Sequence, residues 1–391
     1  MRWLAPFALI FAAPALAATP AQVVVRFDRA SITPVLAAGE ADRAAGRQVT
    51  ADDPVRIASI SKLVTTLGVL RMVDAGQLDL DRDVSDYLGW HLRNPFFPDR
   101  PITLRLLLSH QSSLLDGDDF YIVPLGRTLR AQLADPLVWD SVHAPGSGWF
   151  HYANFNFPVV ASVMERVSGE RFDRLMQRLV LRPLKLDACF NWSGCSPGAL
   201  RRAVVLYRAD GSVARDDLRG VAPACLVVAA ADGSCALGDY TPGWNGALFS
   251  PQGGLRIAMS DLARIGQVMA GGGKGFLSRR SHAELTRVHW RFDGSNGVGE
   301  SGEADGFFCA YGLGLQILTE GPAPCHDNLF GDQRQRLGHP GEAYGLRSGL
   351  WWDPVTGRGL AYFTSAVPDR APPGRSAFSA REESIVEKSR R

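Results

Sequence analysis

The sequence predicts a mixed α/β fold of the α+β type, an antiparallel sheet flanked by helices with a mainly helical subdomain set into it. Three observations predict it. Strand-like alternation stands near both ends of the chain, helical periodicity fills the stretch between, and a charged helix-like segment closes the C-terminus.

The elements follow in order. Val23-Val24-Val25-Arg26-Phe27 and Ser31-Ile32-Thr33-Pro34-Val35-Leu36 alternate around a short polar turn and read as an edge hairpin. Leu63, Leu67, Leu70 and Met72 have helical spacing and Gly76 is a stop, which predicts one long helix from about Ser59 to Ala75. Thr103 is placed to cap Leu104 to Ser109, and Val159, Val160, Val163, Met164 and Val167 form an apolar helical face that ends at Gly169. Helical signals dominate to about residue 185, and the helical subdomain is bounded at roughly residues 65–220. From Cys189 to Thr241 the chain is irregular. Helix returns from Ser260 to Met269, strands follow over Tyr311 to Leu318 and Gly349 to Ser365, and Phe378 to Arg391 reads as a charged terminal helix.

Residues 1–17 carry Met1-Arg2-Trp3, an apolar run from Leu4 to Leu16 and the small-residue site Ala15-Leu16-Ala17, the pattern of a secretory signal peptide rather than a membrane span. No later run of about 18 apolar residues asks for a bilayer, so a periplasmic or secreted location is expected. Residues 18–391 then form one domain, large enough for a sizeable core. Lysine plus arginine number 42 against 40 acidic residues, with no basic block, so a nucleic-acid partner is not expected. Sequence leaves the oligomeric state open.

Six cysteines, Cys189, Cys195, Cys225, Cys235, Cys309 and Cys325, fall into three neighbouring pairs, which in an exported protein favours local disulfides. Sequential pairing is the simplest of fifteen connectivities. The spacing lacks the close Cys-x-x-Cys pairs or histidine partner of a zinc site, and neither a metal nor another cofactor is expected.

The chemistry centres on Ser59-Ile60-Ser61-Lys62 at a helix start. Serine and lysine three apart share a helical face, so the amine reaches the hydroxyl proton while the helix N-terminus favours developing negative charge. Tyr152-Ala153-Asn154 adds a phenol and an amide on a turn leading into a helix. A phenolate beside Lys62 would be stabilised, so Tyr152 is a candidate to shuttle the serine proton to the leaving group. His339-Pro340-Gly341 precedes a strand, whose edge would lend a backbone N–H to an oxyanion.

With these three motifs in this order, the chain resembles the serine beta-lactamase-related family, which holds class C beta-lactamases, D-Ala-D-Ala carboxypeptidases, D-aminopeptidases and family VIII esterases. Leu107-Leu108-Ser109-His110-Gln111-Ser112-Ser113, Gly253-Gly254-Leu255 with Ser260-Asp261-Leu262, and Leu78-Asp79-Leu80-Asp81 look like its framework segments. The resemblance implies a beta-lactamase/transpeptidase-like fold, Ser59 as acylated nucleophile, Lys62 and Tyr152 as the base pair, and Asn154 as a ligand to substrate or to Lys62. It also implies that His339 and Gly341 wall the site and that the N–H groups of Ser59 and Glu342 form the oxyanion hole. Beta-lactamases of this group usually carry lysine where His339 stands. Histidine is largely neutral at pH 7, so efficient beta-lactam hydrolysis is not expected. A Glu342 carboxylate facing the cleft would disfavour acidic substrates, whereas one turned to solvent at the strand edge would not. The implied function is an exported serine hydrolase acting on an ester, an amide or a D-amino-acid peptide. The alternative is a penicillin-binding or cell-wall-sensing protein of the same fold that does not turn over.

Other patterns are set aside. Gly194-Cys195-Ser196-Pro197-Gly198 matches a nucleophile elbow, but Pro197 has no N–H to hold an oxyanion. Asp79-x-Asp81-x-Asp83 opens like a calcium loop, yet Val84 and Trp90 stand where glycine and glutamate are needed. Gly271 to Gly275 follows a helix as a stop. His110 is expected to bond free carbonyls at a helix end.

Overall fold

A computed structural model describes residues 20–299, 305–319, 321–369 and 371–389. The expected leader peptide lies outside the described residues. An eight-stranded antiparallel sheet forms the body, in the order Trp290–Arg291, Ala310–Tyr311, Gln316–Leu318, Arg336–Ala343, Leu346–Trp352, Gly359–Thr364, Gln22–Phe27, Ile32–Ala38. The N-terminal hairpin therefore docks on the last strand of the sheet, and Ile32–Ala38 is the edge, where Pro34 is tolerated beside a register shift between Val24 and Val25.

Alternation along each strand feeds two cores. Val23, Val25 and Phe27 join the main core, into which the helix Met259–Ala270 packs, while Val24, Trp351, Leu360 and Tyr362 meet Phe378, Ile385 and Val386 of the C-terminal segment on the opposite face. That segment ends in the helix Ala380–Lys388, closed by a capping box between Ser379 and Glu382.

The helix Ile60–Asp74 runs through the middle of the molecule, buried on every face as far as Leu70. The apolar spacing predicted one buried stripe. The polar residues between those positions are also enclosed because each finds a partner: Thr65 Oγ1 donates to the Pro251 carbonyl (2.9 Å), Thr66 Oγ1 to the Lys62 carbonyl (2.8 Å), and Ser61 Oγ accepts the Leu255 N–H (3.0 Å). Helices Leu104–Leu108, capped by Thr103, and Asn156–Ser168, stopped by left-handed Gly169, stand where the sequence placed them.

Two expectations are corrected. The His339-Pro340-Gly341 motif does not precede a strand but lies inside one, Arg336–Ala343. A proline breaks the strand signal in sequence, yet Pro340 occupies a position where its missing N–H costs no ladder bond, as shown below. The irregular region from Cys189 to Thr241 also holds three short strands, Cys189–Phe190, Leu206–Tyr207 and Val213–Arg215, with the helix Pro197–Arg202, capped by Ser196, between the first two. Ser196 Oγ accepts the Ala199 N–H (3.0 Å) and donates to Asp187 (2.7 Å), so it serves the cap. The cysteines pair sequentially, Cys189–Cys195, Cys225–Cys235 and Cys309–Cys325. Among the described residues no helix is long and apolar enough to cross a membrane.

Candidate active site

Ser59 is the N-cap of the central helix, preceded by Ala58 in a left-handed conformation (φ 48°) that swings the chain from the short strand Val55–Arg56 into the helix. Its hydroxyl makes no cap bond. Instead the Lys62 amine donates to Ser59 Oγ at 3.0 Å, and also to Asn154 Oδ1 (2.6 Å) and the Gln252 carbonyl (3.3 Å). Lys62 has no exposed surface. Its Nζ lies 4.8 Å from the centroid of the Tyr152 ring.

Two groups that sequence reasoning missed or misassigned hold this arrangement. Asp116 accepts from the Asn154 N–H (2.9 Å), the Asn154 side-chain amide (2.8 Å) and the Phe155 N–H (2.9 Å). With its amide nitrogen committed to Asp116, Asn154 must present its oxygen to Lys62. Burial raises the Asp116 carboxyl, against the pull of those N–H donors and of Lys62. An aspartate in Leu115-Asp116-Gly117-Asp118 carries no pattern that would have singled it out.

The His110 ring does not bond helix carbonyls. Its Nδ1 accepts the Ala153 N–H (3.1 Å) and lies 3.1 Å from the Asn156 amide nitrogen, and its ring stacks on Tyr152 with centroids 4.4 Å apart. Two donors on Nδ1 place the proton on Nε2. Burial, then Lys62, then His339 hold the imidazole well below its ordinary pKa, so it is a neutral plate under the tyrosine. Phe308 stacks on Tyr152 as well, at 4.6 Å.

A cleft of about 410 Å³ opens over Ser59 and Tyr152, with Pro340, Gly341 and Glu342 along one wall and Phe307, Phe308, Pro373 and Phe378 along another. His339 is not among the lining residues. It is fully buried, hydrogen-bonded through Nε2 to the Tyr311 hydroxyl (2.8 Å) and through Nδ1 to the Pro340 carbonyl (2.6 Å). Alternation along the strand turns its side chain inward while the backbone of Pro340 to Glu342 meets the cleft. Burial first, and Lys62 second, push His339 down to about 3, so it is neutral.

Gly341 is required by close approach: a Cβ there would lie 2.2 Å from the Ile57 carbonyl oxygen. That carbonyl also accepts from Ser348 Oγ (3.0 Å), which ties the hairpin to the residues just before Ser59. The hairpin turn is Tyr344-Gly345, with φ 55° and 74° between the paired residues Ala343 and Leu346. A two-residue turn of this kind makes the flanking pair a hydrogen-bonded one, so the next position, Glu342, points its N–H away from Leu346–Trp352, as does the position of Pro340. The sheet partner on that side, Gln316–Leu318, pairs only as far as Gly338. The Glu342 N–H therefore faces the open edge, and the Ser59 N–H, at a helix start, lacks an intrahelical acceptor.

The Glu342 side chain does reach the cleft rim, but it is paired with Arg347 directly across the hairpin. The negative charge that a cleft-facing Glu342 would bring is thus met by Arg347. Among the described residues no cluster of His, Cys, Asp or Glu is arranged to hold a metal ion.

The family model described as Beta-lactamase matches residues 18–382. The chain belongs to the beta-lactamase family. Esterase EstB of Burkholderia gladioli is 32% identical over 171 residues, covering 39% of this chain and 42% of that protein. The D-alanyl-D-alanine-carboxypeptidase/endopeptidase AmpH of Escherichia coli K12 is 29% identical over 161 residues, covering 40% and 41%. The chain spans about half the length or less of the curated relatives it matches. In structure it resembles the D-amino acid amidase of Ochrobactrum anthropi SV3, solved with L-phenylalanine, at a TM-score of 0.64 and 18% identity, covering 95% of this chain and 91% of that one. This likeness shows the fold.

Proposed function

We propose that this beta-lactamase-family chain is an exported serine hydrolase that forms an acyl-enzyme on Ser59, with an ester, an amide or a D-amino-acid peptide as substrate. The observation that carries the reading is the sealed Lys62 amine 3.0 Å from Ser59 Oγ, with the Tyr152 ring beside it. A lysine held so close to a serine hydroxyl, with Asn154 and Gln252 also holding its amine, is arranged to take the hydroxyl proton as Ser59 attacks a carbonyl.

In this mechanism the Ser59 and Glu342 N–H groups hold the tetrahedral oxyanion. Tyr152, lining the cleft, relays the proton to the departing alcohol or amine, and water in the vacated space resolves the acyl-enzyme with the same groups acting in reverse. The relatives' names, an esterase, a carboxypeptidase/endopeptidase and an amidase, support acyl transfer without choosing among leaving groups. A neutral His339 beneath the wall offers no cation to a substrate carboxylate, which argues against beta-lactams as preferred substrates. Three disulfides and the leader-like N-terminus support export to the periplasm or medium.

Intact-mass labelling with a fluorophosphonate tests the reading: one adduct on the wild type and none on Ser59→Ala is expected. Label that persists in Ser59→Ala would refute it. Turnover is then read on p-nitrophenyl esters, D-Ala-D-Ala peptides and nitrocefin. A stable adduct with no turnover on any of them would instead favour the binding or sensing protein.

A further inference from the structure

Arg56, just ahead of the nucleophile segment, has no role in that mechanism. It ends the strand three positions before Ser59, is 8% exposed, and its Nε is buried with no hydrogen-bond partner among the described residues. Its strand neighbour is a second arginine, Arg256, which already holds Asp216. Burial and Arg256 push the Arg56 guanidinium down to about 9. An arginine kept under such unfavourable conditions calls for a physical reason.

What Arg56 meets is the ring of Tyr344, with the guanidinium carbon 5.1 Å from the centroid, and Arg215 lies over the same ring at 5.2 Å. Tyr344 itself is unusual. It holds the first position of the hairpin turn with φ 55°, where a bulky side chain is an outlier and asparagine, aspartate or glycine is the common choice. A desolvated cation over an aromatic face offsets that strain. The turn in turn decides which way the Glu342 N–H points, because a one-residue slip would rotate it onto the neighbouring strand.

We propose that Arg56, acting through the Tyr344 ring, is a positioning residue that locks the hairpin turn and so sets the spacing between the Ser59 and Glu342 N–H groups. Two consecutive residues ahead of the nucleophile then grip the same hairpin: Arg56 at Tyr344, and the Ile57 carbonyl at Ser348 and Gly341. Movement of one oxyanion donor is thereby tied to the other.

The inference rests on the acyl-enzyme reading, and the experiment separates the two. Active sites are counted by fluorophosphonate titration, and kcat per titrated site and KM are measured on a neutral p-nitrophenyl ester for Arg56→Met, Arg56→Lys, Tyr344→Leu, Tyr344→Phe and the double variant Arg56→Met/Tyr344→Leu. Loss of an oxyanion donor costs about 100-fold or more in rate, so misplacing one should cost about tenfold in kcat. Arg56→Met and Tyr344→Leu should each show that loss with KM nearly unchanged, and the double variant should be no worse than either. Arg56→Lys and Tyr344→Phe, which keep the cation and the ring, should recover most of the rate. Wild-type kcat per titrated site in both Arg56→Met and Tyr344→Leu, or additive losses in the double variant, would overturn the proposal. Failure of the wild type to label on Ser59 would instead sink the acyl-enzyme reading.

Discussion

The floor and the rim of the cleft are built on opposite principles. On the floor, Lys62, Asn154, His110, Tyr311 and His339 are buried, neutral or tightly partnered, and packed against aromatic rings. On the rim, Glu342 is largely exposed and its charge is met by Arg347 across the hairpin, while loops around Phe307 and Phe378 supply apolar surface. Buried networks have few alternative arrangements and rim pairs have many. The contrast teaches that substitutions on the floor should change whether the reaction runs, and substitutions of the rim side chains Glu342 and Arg347 only which substrate runs best.

The sharpest way to break that division is at the proposed nucleophile. Ser59→Ala and Lys62→Met should each lower turnover by at least about 10⁴-fold, the scale seen when a nucleophile or its base is removed, and steady-state assays on an activated ester read this directly. Tyr152→Phe comes next, with a loss of about 100-fold or more in kcat and little change in KM. Near wild-type turnover in that variant would pass the proton relay to Lys62 alone.

The third test concerns acid. His339 has its folded-state value pushed down to about 3 from an ordinary 6.5. The folded protein therefore binds fewer protons than the unfolded chain between those values. The stability this provides is complete above about pH 6.5 and is lost as the pH falls towards 3. At pH 4 the loss should be on the order of 3 kcal/mol, and urea unfolding of wild type and His339→Gln at pH 7.5 and pH 4 should show the wild type losing more. Equal losses would mean that the floor histidine is hydrated rather than sealed.

The smallest effect belongs to the rim. Glu342→Gln releases Arg347 towards the cleft, and exposed pairs are worth up to about 1 kcal/mol. The preference for carboxylate-bearing over neutral esters should rise by at most about fivefold, with the neutral rate unchanged. A change larger than that would mean that the Glu342 carboxylate, and not only its N–H, takes part in the chemistry.

Much of this was legible before any coordinates. The central helix, its serine and lysine, and the helix after Asn154 follow from 3.6-residue spacing and end signals, because local sequence decides local structure there. The three sequential cysteine pairs were readable because each cysteine's nearest neighbour in the chain is its partner. What escaped notice depends on contacts across the chain. Asp116 matters only because Asn154 arrives from 38 positions later. Arg347 gains its role from a hairpin register, and the strand holding His339 was obscured by a proline that is tolerated solely because of that register. His110 sat at a helix end as expected, but the turn after it carried the ring under Tyr152 rather than back to the helix.

The chain has four lysines, Lys62, Lys185, Lys274 and Lys388, and the last three are exposed. Reagents that attack primary amines from bulk water will find those three and pass over Lys62. A preparation could therefore be tethered to an amine-reactive bead, or tagged with a succinimidyl dye, while the proposed reacting centre stays untouched, and the proton transfer proposed for Lys62 would never compete with the coupling.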